Sequence, residues 1–115
     1  MPEKFVVQLS APANEDLDDI ARFIIGKDEE NRDYRTIIAT RVIIEILDRI
    51  QTLSVFPEAY SAVKYDRDLK DEYRRIHYKH YNIFYRVIRN KNVVVVEGIV
   101  DARRNPEYAI KRLTE

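Results

Sequence analysis

The sequence predicts an α+β fold: an N-terminal strand, a two-helix hairpin, a three-stranded antiparallel meander and a short C-terminal helix. Three observations carry this. Apolar residues recur at helical spacing through residues 12–54, and three β-branched and aromatic runs separated by short polar turns occupy residues 73–100. With only two glycines and four prolines in 115 residues, little chain is left for linkers, so residues 1–115 are expected to form a single domain.

The elements follow in order. Phe5-Val6-Val7-Gln8-Leu9 is a short apolar run ending at Ser10-Ala11-Pro12, which reads as a first strand. Ser10 is placed to cap a helix, because its hydroxyl can accept a free amide of the first turn, and Pro12 fits that turn, where no donor is needed. Leu17, Ile20, Ala21 and Ile24 then fall on one face of a helix over about 12–26. Glu15, Asp16, Asp18 and Asp19 suit its positive end, and Gly26 closes it. Ile38, Val42, Ile46, Ile50 and Leu53 make the stripe of a second helix over about 33–54. Ile37, Ile43, Ile44 and Leu47 widen that stripe, so cover by both the first helix and a sheet is expected. Residues 57–72 show no period and read as a loop.

Strands are expected at about 73–78, 81–88 and 93–100, joined by the turns Lys79-His80 and Arg89-Asn90-Lys91-Asn92. Alternation puts Ile83, Tyr85 and Val87 on one face and Asn82, Phe84 and Arg86 on the other. The outer face of the sheet should therefore be open, polar, basic and aromatic. Asn105-Pro106-Glu107 opens a terminal helix over about 105–114, with Asn105 as its cap.

Composition narrows the function. Hydrophobic residues are 45% and charged residues 35% of the chain, as in a globular domain. The absence of cysteine excludes disulfides and thiolate metal sites, and no zinc spacing, phosphate-cradling glycine loop or Ser/His/Asp set is present, so no metal and no cofactor is expected. Met1-Pro2-Glu3-Lys4-Phe5 holds no apolar h-region, and no apolar run approaches the ~20 residues of a membrane span, so a cytoplasmic chain without a membrane partner is expected. The net charge of zero hides a split: residues 1–60 hold seven Lys/Arg against twelve Asp/Glu, a net −5, and residues 61–115 hold thirteen against eight, a net +5. A basic working surface in the second half is implied, without the overall excess of a dedicated nucleic-acid binder.

Three segments carry a family resemblance. Leu9-Ser10 with Ala13, Asp16-Leu17, Ile20-Ala21 and Phe23-Ile24 resembles the opening of RelE/ParE superfamily toxins, the plasmid-stabilisation proteins of type II toxin–antitoxin systems. Tyr81-Asn82-Ile83-Phe84-Tyr85-Arg86-Val87 is similar to their central strand, and Gly98-Ile99-Val100-Asp101-Ala102-Arg103-Arg104-Asn105-Pro106-Glu107 to their fourth-strand exit. Relatives often carry a His-Gly pair where Val100-Asp101 stands here.

The resemblance implies one of two activities, each held in check by a cognate antitoxin: cleavage of ribosome-bound mRNA in the RelE manner, or poisoning of DNA gyrase in the ParE manner. Cleavage needs preorganised cations and proton-moving groups around a phosphate. Arg75, His77, Arg103 and Tyr108 are the residues that match the catalytic pattern if the ribosome-dependent endoribonuclease alternative holds. Asn82 stands where the cleaving branch has an arginine, and Arg86, four residues on, lies roughly 13 Å further along an extended strand. The departure at Asn82 favours the non-enzymatic, gyrase-poisoning branch, with Arg75, Asn82, Arg86, Arg103 and Arg104 as target-binding candidates. A second alternative is an inactive toxin fold that survives only in an antitoxin or repressor complex.

Overall fold

A computed structural model describes residues 4–65 and 68–114. The chain runs through strand β1 (Val6–Leu9), helices α1 (Ala11–Ile25) and α2 (Arg32–Gln51), strands β2 (Arg74–Tyr78), β3 (Tyr81–Ile88) and β4 (Val93–Asp101), and helix α3 (Pro106–Thr114). Short 3-10 turns occupy Thr52–Ser54 and Pro57–Ala59. The expected caps form: Ser10 Oγ accepts the Ala13 amide at 3.2 Å, and Asn105 Oδ1 accepts the Glu107 amide at 3.0 Å. Gly26 stands at φ +64, a conformation that a side chain would oppose, and its amide donates to the Arg22 carbonyl.

The sheet has the order β1-β4-β3-β2. β2, β3 and β4 form the expected antiparallel meander. β1 lies parallel to β4, with Val6 opposite Val93 and Leu9 opposite Val96. This pairing joins segments nearly 90 residues apart and leaves no local mark in the sequence.

One face of the sheet packs under the hairpin, with Leu17, Ile46, Ile50, Ile76, Ile83 and Val96 in the same core. The other face departs from expectation. Phe84 is 1% exposed rather than open, because α3 folds over it: Phe84, Tyr73 and Val100 share a second core with Ala109 and Leu113 of α3. A register shift between Phe84 and Tyr85 accompanies a run in which Ile83, Phe84 and Tyr85 are all buried, into both cores in turn.

Two other expectations are corrected. The second helix is covered by both α1 and the sheet, as expected, but the cover does not reach the whole widened stripe: Ala39, Ile46 and Ile50 are buried, whereas Ile37 is 62% and Ile44 52% exposed. Asp16 is not an ordinary charge at a helix start. It is buried beside β4, in the stretch beyond Val96 where β1 no longer pairs, and the first turn of α1 holds no acid.

Candidate target-binding site

Asp16 holds the layers together. Its Oδ2 accepts the Ile99 amide at 2.8 Å, a donor that the missing β1 partner leaves free, and both carboxylate oxygens accept from the Arg112 guanidinium at 3.0 Å. Arg112 also donates to the Glu97 carbonyl at 2.9 Å. A side chain from α3 thus reaches round the edge of β4 to meet one from α1. Gly98 makes room for this clamp, because a Cβ there would stand 3.0 Å from Arg112 Nη2.

The residues singled out from sequence fall into two groups. Arg75 and His77 are exposed on the outer face of β2, the edge strand, opposite Phe84 and Asn82 of β3. Neither side chain has an ion pair or hydrogen bond among the described residues. Asn82 is half-buried between His77 and Val100 in the ladder, and its Oδ1 is buried with no hydrogen-bond partner. Arg86, on the same strand, donates through Nε to Glu97 Oε2 at 2.6 Å, which raises its pKa further above the ordinary arginine value.

The second group gathers beyond the end of β4. Arg103 grips Asp101 with Nε at 3.0 Å and Nη2 at 2.8 Å, and its backbone amide donates to the same carboxylate at 2.9 Å. These bonds, the side-chain ones foremost, hold the Asp101 carboxyl down at about 2. His80 Nε2 approaches Asp101 at 3.8 Å. Arg104 lies over the Tyr108 ring, 4.4 Å from its centroid. Tyr108 and Tyr81 line a shallow cleft with Asp19, Ile20 and Phe23 of α1, and Phe23 is 81% exposed there. Burial pushes the Tyr81 hydroxyl above its usual pKa.

The catalytic candidates come from three elements, although the register sets His77, Asn82 and Val100 in one cross-strand row. Arg75 and His77 stand on β2, two strands or roughly 10 Å of backbone from β4, while Arg103 lies past the end of β4 on Asp101 and Tyr108 lies on α3, lining the cleft with α1. Asp16, Arg112 and the Phe23 cleft escaped sequence reasoning. Asp16 and Arg112 are 96 residues apart and each looks like an ordinary helical charge. Glu97 did leave a signal, as the lone acid within Val93–Val100, where a carboxylate needs a partner such as Arg86. Among the described residues no cluster of His, Cys, Asp and Glu could hold a metal, and no helix is long and apolar enough to cross a membrane.

Comparison with known proteins now adds a family. A solved structure with a similar fold is the toxin–antitoxin complex RelBE2 from Mycobacterium tuberculosis, with TM-score 0.59 and 14% identity over 86% of this chain and 92% of that one. The archaeal RelE-RelB complex from Pyrococcus horikoshii OT3 matches at TM-score 0.48 and 14% identity, over 89% of this chain and 99% of that one. No curated protein matches the chain by sequence. Residues 7–106 match the family described as the ParE toxin of the type II toxin–antitoxin system, parDE, a span that runs from β1 through the sheet to the start of α3. On that match the chain belongs to the ParE toxin family of type II toxin–antitoxin systems.

Proposed function

We propose that this toxin arrests growth by binding and poisoning DNA gyrase in the cytoplasm, without covalent chemistry or a cofactor of its own, and that a cognate antitoxin neutralises it. The observation that carries the choice of target is the state of the cations. Arg86 is held by Glu97 and Arg103 by Asp101, each by a carboxylate of the same chain. Phosphoryl transfer relies on unneutralised charge preorganised at the reacting phosphate, and loss of one such donor costs about 100- to 1000-fold in rate. Asn82 at the centre supplies no charge of its own, and Arg86 and Arg103 each share theirs with a carboxylate, which favours the binding reading. A binding surface has no such requirement, and Arg104, Tyr108 and the exposed Phe23 offer the mixture of cation and aromatic ring typical of protein interfaces. The antitoxin partner is supported by family membership and by the similar structures being toxin–antitoxin complexes.

The test adds purified protein to gyrase with supercoiled plasmid and, separately, to programmed ribosomes. Inhibited or cleavage-trapped gyrase and uncut message are expected. Codon-positioned cuts that disappear in Arg103→Ala would replace this proposal with the endoribonuclease alternative. That alternative draws on one observation, Arg75 and His77, without a partner among the described residues and side by side on the outer face of β2. Normal colony growth while intact protein accumulates would instead indicate an inactive toxin fold.

A further inference from the structure

The outward face of α2 carries more than uncovered apolar area. Ile37, Arg41, Ile44 and Asp48 follow one another at i, i+4, i+7 and i+11, a straight stripe on a helix of 3.6 residues per turn. It lies opposite the buried line of Ala39, Ile46 and Ile50. All four side chains are exposed, with Leu47 at 39% on the flank. Arg41 and Asp48 have no ion pair or hydrogen bond among the described residues, although neighbouring Glu45 is engaged by the Tyr78 hydroxyl and by Lys79.

We propose that this stripe is a homodimer interface, in which α2 packs antiparallel against α2 of a second copy. The argument is one of symmetry. A two-fold interface uses the same patch on both partners, so the patch must be complementary to itself. Here a positive and a negative side chain stand about 10 Å apart along the helix, at 1.5 Å per residue, with Ile44 between them. Turned end for end about the point midway between Arg41 and Asp48, each Arg41 meets the partner's Asp48, and the two Ile44 side chains stand on either side of the axis. A parallel arrangement would oppose Arg41 to Arg41 and Asp48 to Asp48, so the charges select the antiparallel one. Ile37 and Leu47 extend the apolar seam to either side. A single helix-on-helix seam covers less than the roughly 800 Å² per partner of a standard stable interface, so the dimer is weak and reversible.

Sedimentation equilibrium of the purified chain from about 5 μM to 1 mM tests this directly. A concentration-dependent doubling of mass is expected. Arg41→Asp sets two carboxylates against each other and should weaken association at least about 10-fold, Ile44→Glu should abolish it, and Arg41→Asp combined with Asp48→Arg should restore it to within about 3-fold of the parent. All three positions are exposed, and circular dichroism checks that each variant keeps its fold. A monomer at every concentration overturns the proposal. So does a dimer indifferent to Arg41→Asp, or a double charge swap that fails to rescue. Protection of α2 amides that depends on added antitoxin, in a chain that is otherwise monomeric, also overturns it and gives this face to the antitoxin.

Discussion

Asp16→Ala tests whether one carboxylate joins α1, β4 and α3. The substitution strips the acceptor from the Ile99 amide and the counter-charge from Arg112. A buried donor left unsatisfied costs about 1–3 kcal/mol. Breaking a fully buried ion pair costs about 3–5 kcal/mol, but Arg112 is 23% exposed and keeps its bond to the Glu97 carbonyl, so the pair contributes less here. Together these place the loss at about 3 kcal/mol, a large share of the stability of a small domain. With a urea m-value of about 1.5 kcal/mol/M, the unfolding midpoint should fall by about 2 M. Asp16→Asn keeps an acceptor for Ile99 and should lose about half as much. Arg112→Ala combined with Asp16→Ala should show a coupling of about 1–2 kcal/mol. If Asp16→Ala unfolds within 1 kcal/mol of the parent, or the coupling vanishes, the clamp does not hold the layers and the argument fails.

Other predictions follow from the same geometry. Gly98→Ala should cost about 1–2 kcal/mol by pushing on the pinned Arg112 guanidinium, and almost nothing in an Arg112→Ala background, where the obstacle is gone; denaturant melts of the two pairs decide it. The Tyr85 hydroxyl is buried, donates to the Pro57 carbonyl and is pushed up to about 12, mainly by desolvation. Its stabilising effect is therefore complete below about pH 10, where the unfolded chain begins to ionise, and is lost as pH rises towards 12. Tyr85→Phe should lose about 1 kcal/mol at neutral pH and show a shallower alkaline decline. Arg103→Ala should let the Asp101 carboxyl rise from about 2 towards the ordinary aspartate range, a change that carbon-detected NMR titration reads directly; an unmoved value would mean that Arg103 is free to meet a target.

How much of this was legible in the chain depends on the range of the interaction. Ser10, Gly26 and Asn105 mark helix ends because a cap acts over three or four residues, and the meander is written in the alternation of Tyr81 to Ile88 and its short turns. The three family segments are likewise local, which is why they point to the RelE/ParE superfamily before any contact is known, and the match over residues 7–106 narrows this to the ParE toxin family. By itself, then, the sequence determined the elements, their order and the family. Only the tertiary structure decided which surfaces remain open. α3 covers Phe84 and Val100, Arg86 and Arg103 are held by Glu97 and Asp101, and Ile37 and Ile44 are left in solvent. Periodicity records that a side chain is apolar or charged, but its partner is set by the packing of segments up to 96 residues apart, as Asp16 and Arg112 are.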